Sequence, residues 1–117
     1  IAFYDCVKYI APMFNIVTFS KYEDDFINGE IILKNCTKAD GVRRVVDYYH
    51  GDMKDTIGFG DSMNDASMFE VCQYGIAMGN AAEELKEQAD YITARIEYDG
   101  IKKALKLVSL QRMRLIN

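Results

Sequence analysis

The feature that most constrains this chain is the hexapeptide Gly60-Asp61-Ser62-Met63-Asn64-Asp65, which follows directly on the apolar run Thr56-Ile57-Gly58-Phe59. A β-branched, glycine-punctuated run that ends in acids and then turns into a helix sets carboxylates at the carboxyl end of a strand. In parallel α/β sheets that end is where ligands bind. Two carboxylates and an amide so close together suit a hard, oxygen-seeking cation. Upstream, Lys38 opens a separate amphipathic helix and can aim at the same place. Acid pair, amide and lysine are the parts of a magnesium-dependent phosphoryl-transfer site. A nucleophile, which such a site also needs, is not visible in the sequence.

The rest of the chain supports a layered α/β fold. Thr37 is placed to cap a helix in which Ala39, Val42, Val45, Val46 and Tyr49 recur at helical spacing up to His50-Gly51. A strand over residues 56–60 leads to a helix through Met68, Phe69, Val71 and Cys72, and Tyr74 to Met78 reads as the next strand. Asn80 is expected to cap a helix from Ala81 to about Ala89, with Glu83 and Glu84 in its first turn, where the helix dipole favours them. Tyr91-Ile92-Thr93 is a short strand. The final helix is expected to bury Ile101, Ala104, Leu105 and Val108. Strand and helix alternate from about residue 37 onward, which predicts a parallel, doubly wound core.

The first third has a different grammar. Residues 3–12 suit a short helix, and Asn15 to Ser20 and Glu30 to Leu33 suit two antiparallel strands around a polar loop containing Asp24, Asp25, Asn28 and Gly29. This stretch reads as the end of a second, smaller domain, with residues 1–33 on one side of the boundary and 34–117 on the other.

Composition closes off several function classes. The net charge of -4 and the lack of a dense basic block argue against a nucleic-acid partner. The basic residues Lys102, Lys103, Lys106, Arg112 and Arg114 are read as the solvated face of the last helix. No apolar run approaches the ~20 residues of a membrane span. Cys6, Cys36 and Cys72 are odd in number and fit no metal-ligand spacing, so they read as reduced thiols of a cytoplasmic protein. The chain begins at an isoleucine, which reads as an excised piece of a longer protein.

Each candidate site residue has a plainer reading beside the chemical one. Asp61 at the strand tip is the candidate direct ligand of Mg²⁺, and Asn64 can offer either its carbonyl oxygen or its amide donors to metal or phosphate. Asp65 can hold a metal-bound water or pair with Lys38. On spacing alone, Asp61 and Asp65 serve equally well as acids at a helix N-terminus. Lys38 by itself is an ordinary solvated lysine; its position at a helix start, where anions are favoured, gives it value. His50 is read as a group compensating a helix C-terminus, and Gly79-Asn80 as a turn outside the site.

The segments Thr37-Lys38-Ala39-Asp40-Gly41-Val42, Ile57 through Asp65, Ile76-Ala77-Met78-Gly79-Asn80-Ala81, Ala89-Asp90-Tyr91-Ile92-Thr93 and Asp99-Gly100-Ile101 together resemble the haloacid dehalogenase superfamily. Their order and spacing are most similar to its Cof-type, cap-bearing phosphatase branch, over about residues 30 to 106. The resemblance implies a Rossmann-like core, an N-terminal stretch that ends a cap domain, and Mg²⁺-dependent hydrolysis of phosphomonoesters through an aspartyl-phosphate. It also implies that Lys38 steadies nucleophile and phosphate, that Asp61 binds Mg²⁺, and that Asn64 and Asp65 complete the site. The family's DxDGT motif, which carries nucleophile and general acid, is absent from this sequence. So is the Ser/Thr motif that follows it.

The chain is therefore expected to be the C-terminal portion of a phosphatase acting on a sugar phosphate or another small phosphorylated metabolite. Its nucleophile would be supplied by the N-terminal half of the same protein. Two alternatives stand beside this. One is the phosphorylation domain of a P-type ATPase, against which the lack of spans and the GDSMND sequence both count. The other is a non-catalytic binding module of the same fold.

Overall fold

The computed structural model describes residues 3–21 and 27–116. The loop that contains Asp24 and Asp25 falls outside them. Helix α1 (Phe3–Ile10) leads into strand β1 (Phe14–Lys21), which pairs antiparallel with β2 (Ile27–Leu33). Asn28 and Gly29, expected in the loop, belong to β2, and the register shifts between Thr18 and Ser20.

Helix α2 (Lys38–Tyr48) starts where the sequence says it should. Thr37 is extended, its hydroxyl accepts from the Asp40 amide, and the Asp40 carboxylate accepts in return from the Thr37 amide at 2.9 Å. This reciprocal box satisfies two of the amides that a helix start leaves without partners. At the other end, the Gly51 amide bonds the Val46 carbonyl and the His50 amide bonds that of Asp47. This is a Schellman closure, but the left-handed residue is His50 (φ 53°) and not the glycine.

Strand β3 (Ile57–Gly60), a single helical turn over Met63–Asp65, α3 (Ala66–Val71), β4 (Tyr74–Ala77), α4 (Glu83–Gln88), β5 (Tyr91–Ile92) and α5 (Gly100–Ile116) follow in turn. The strands form a parallel sheet in the order β3-β4-β5, with Ile57 opposite Tyr74 and Ile76 opposite Tyr91. On one face Phe69, Ala77, Met78, Ala81 and Leu85 pack together; on the other, Ile76 meets Ala104 and Val108 of α5. The α/β class and the parallel sheet are as expected.

Three local expectations are corrected. Asn80 does not cap α4, whose N-cap is Ala82; instead Asn80 Oδ1 accepts from the Ile96 amide at 3.1 Å and ties the β4–α4 loop to a later turn. Of the four apolar residues expected on the buried side of α5, Ala104 and Val108 are buried, whereas Ile101 and Leu105 are 44% and 45% exposed. The helix therefore meets the sheet along a narrower stripe than its apolar residues would allow. In α2, Val45 and Tyr49 are exposed as well. The radius of gyration, 17.1 Å, exceeds the roughly 13 Å of a compact domain of this length.

Candidate active site

The tip of β3 carries the candidate site because the backbone there is held from several sides. Gly60 must be glycine: a Cβ at this position would lie 2.6 Å from Asp65 Cβ and 2.9 Å from its Cγ. That close approach lets Asp65 fold back under the loop. Its Oδ2 accepts from the amides of Asp61 at 3.0 Å and Ser62 at 3.3 Å. The other oxygen, Oδ1, pairs with the Lys38 ammonium. The β4–α4 loop contributes the Ala82 amide, which bonds the Asp61 carbonyl at 2.9 Å.

Lys38 and Asp65 are 27 residues apart in sequence and come together because α2 packs beside α3. The Asp65 side chain is 6% exposed and that of Lys38 49%. A carboxylate this buried needs its charge matched, and two amides and an ammonium do so. Asn64 stands next to the pair. Its Oδ1 accepts from Lys38 Nζ at 3.3 Å and from Ser62 Oγ at 2.5 Å.

The four candidate residues thus sit together on one loop and one helix start, but in different states. Asp65 is buried with both oxygens occupied. Asp61 is exposed, and its carboxylate makes no hydrogen bond or ion pair among the described residues. It is the acid of the pair that is open to a ligand. No group of three His, Cys, Asp or Glu side chains converges among the described residues, which excludes a closed cage of the zinc type from that part of the molecule. One open carboxylate at a strand tip does fit Mg²⁺, which uses one or two carboxylates and completes its shell with water and phosphate oxygens.

One neighbour escaped the sequence reading. Glu30 on β2 accepts from Asn64 Nδ2 at 3.3 Å. A cavity of about 210 Å³ lies between the hairpin and the core, with Asn15, Glu30, Lys38, Met63 and Asn64 in its walls. No local pattern could have marked Glu30, since a lone acid on a strand has no partner until the strand is docked.

The model of the haloacid dehalogenase-like hydrolases matches residues 3–105. The chain belongs to this family. Among its relatives, YkrA of Bacillus subtilis is 37% identical over 99 residues, 85% of this chain and 37% of that protein. The 5-amino-6-(5-phospho-D-ribitylamino)uracil phosphatase YitU of Bacillus subtilis is 40% identical over 77 residues, 66% of this chain and 28% of that enzyme. Among solved structures, the HAD subclass IIB sugar phosphatase BT4131 superposes with a TM-score of 0.77 at 32% identity, over 91% of this chain and 38% of that one. The chain thus spans well under half the length of these hydrolases. Among the described residues no helix is long and apolar enough to cross a membrane.

Proposed function

We propose that this chain is the C-terminal portion of a Mg²⁺-dependent phosphatase, and that it holds the charge-neutralising half of the active site. The observation that carries this reading is the convergence of Lys38, Asn64 and Asp65 on the loop that carries the exposed Asp61 at the carboxyl end of β3. The family and the named phosphatases among its relatives support the reaction class.

In this reading each residue has a distinct task. Asp61, with Asn64 beside it and Asp65 behind, would hold Mg²⁺, which supplies neutralisation of charge on the phosphoryl oxygens. Lys38 presents its ammonium to the phosphate and is kept from swinging away by Asp65. Asn64 offers an amide to the same group. Asp65 acts through others, since it fixes both the lysine and the loop amides. Preorganised charges of this kind stabilise the transition state without reorganising when it forms.

The nucleophile, which would form the aspartyl-phosphate, is assigned to sequence outside this chain. Two features support that. Among the described residues β3 pairs on one side only. Beside it runs an apolar groove of about 470 Å³ between α2 and β3, walled by Val42, Val45, Val46, Ile57 and Met68, with Lys38 at its end. A further parallel strand paired with β3 would cover this groove and bring its carboxyl end next to Lys38 and Asp61. Residues 1–33 would end the cap, and 34–117 would form the second half of the core. The substrate would be a small phosphorylated metabolite, and the free thiols of Cys36 and Cys72 agree with a cytoplasmic setting.

The test compares the full-length protein with residues 1–117 alone, using p-nitrophenyl phosphate and Mg²⁺. The full-length protein is expected to turn over and the shorter chain to show none. Sustained turnover by residues 1–117 that disappears in Asp61→Asn would place the nucleophile inside this chain and overturn the division of the site.

A further inference from the structure

We infer that Glu30 is a positioning residue for the phosphate end of the site and acts through Asn64; this rests on the site reading proposed above. The primary amide of Asn64 is used at both ends. Its Nδ2 donates to Glu30 Oε2 at 3.3 Å, while its Oδ1 accepts from Ser62 Oγ at 2.5 Å and from Lys38 Nζ at 3.3 Å. An ionised carboxylate has no hydrogen to donate and an ammonium has no lone pair to accept with. The amide therefore has one orientation that satisfies all its partners, with NH₂ toward the hairpin and carbonyl toward the lysine.

The terminal torsion of an asparagine is otherwise broad, so hydrogen bonds must fix it. Without Glu30 the NH₂ end loses its protein partner, and the amide is held from its carbonyl end alone, by Ser62 Oγ and Lys38 Nζ. The contact to Lys38 is the longer of those two, so the half-exposed ammonium keeps Asp65 as its partner while its second acceptor is less firmly placed. Glu30 sits on β2, in the wall of the cavity between hairpin and core. The orientation of Asn64 thus depends on the hairpin being seated, which couples the N-terminal hairpin to the catalytic loop.

The negative charge of Glu30 makes this role separable from plain substrate binding. A carboxylate near a phosphate repels it, so removing the charge does not weaken binding by Coulomb's law. Loss of positioning lowers kcat, and loss of the charge leaves KM the same or lower.

The experiment uses the full-length protein with p-nitrophenyl phosphate at saturating Mg²⁺. Glu30→Ala is expected to lower kcat roughly threefold to tenfold, the scale of one net hydrogen bond, with KM not raised. Glu30→Gln, which keeps an acceptor at the same reach, recovers most of the loss. In an Asn64→Ala background, Glu30→Ala has no further effect, because the pathway is already cut. Equal losses in both backgrounds, or a Gln variant as poor as the Ala variant, would overturn the inference. In parallel, the side-chain NH₂ proton resonances of Asn64 are followed by NMR, and they are expected to move on Glu30→Ala. Unmoved resonances overturn the contact whether or not the protein hydrolyses anything, whereas a wild type that hydrolyses no phosphomonoester overturns the functional reading instead.

Discussion

Gly60→Ala is the substitution whose consequence can be worked most directly from the structure. The added methyl would stand 2.6 Å from Asp65 Cβ and 2.9 Å from its Oδ2. Real Cβ atoms essentially never come within 3.0 Å of such neighbours, so something must shift. The neighbour is no flexible side-chain tip but the root of a buried residue in a tight turn. Overpacking of this kind costs about 1–3 kcal/mol. As Asp65 moves, its bonds to the Asp61 and Ser62 amides and to Lys38 lose alignment, which adds about 1 kcal/mol for a carboxylate that stays buried. Against this, replacing glycine stiffens the unfolded chain and returns about 0.4–1 kcal/mol. The net expectation is a loss of about 2–3 kcal/mol. In urea unfolding of the 117-residue chain followed by circular dichroism, the midpoint should fall by roughly 1–2 M. A midpoint unchanged or raised would refute the claim that Asp65 is packed against this glycine as a fixed strut.

Further outcomes follow from the same geometry. Gly41→Ala, in the interior of α2 where a Cβ meets nothing within 4 Å, should stabilise the chain by about 0.5–1 kcal/mol; destabilisation in the same urea experiment would count against the helix assignment. Lys38→Met leaves Asp65 with its two amide donors only. Because the lysine is half exposed, the expected loss is about 1–2 kcal/mol rather than the larger cost of breaking a fully buried pair, and a neutral effect would mean that the pair contributes nothing to the fold. The Thr37 amide, then the Thr37 hydroxyl, hold the Asp40 carboxyl below its ordinary 3.8, with Arg43 and Arg44 adding to the effect. A lowered folded-state pKa means that this stabilisation is fully present above pH 3.8 and fades as pH falls through the lowered value. The protection factors of the amides at the start of α2, taken relative to the intrinsic exchange rate at each pH, should therefore fall in acid, and Asp40→Asn should remove that pH dependence.

How far the sequence reached is clearest from particular residues. Thr37 and Asp40 are three apart and bond each other, so the start of α2 could be read from four letters. The alternation of short apolar runs with helical spacing likewise exposed the parallel sheet, since each period is a local property. Features set by distant neighbours could not be read. Asn80 looked like a helix cap but bonds the Ile96 amide, sixteen residues on. Ile101 and Leu105 looked like core but lie outside the stripe that α5 lays on the sheet. At the site, spacing brought Asp61, Asn64 and Asp65 onto one turn, yet could not say which acid is open. That is decided by the absence of a side chain at Gly60 and by the approach of α2, which together bury Asp65 and engage both its oxygens. Glu30 reaches Asn64 only because the hairpin docks on the core.

The measurement that bears most directly on the central claim is the Mg²⁺-dependent turnover of Asp61→Asn in the full-length protein. Asp61 is exposed at the tip of β3 while Asp65 is tied to Lys38 and to the loop, so Asp61 is the ligand-binding carboxylate in this account. Neutralising it should cost about two orders of magnitude in kcat, the scale of losing a main electrostatic stabiliser, with the fold intact by circular dichroism. Turnover close to wild type with unchanged magnesium dependence would contradict the account at its root.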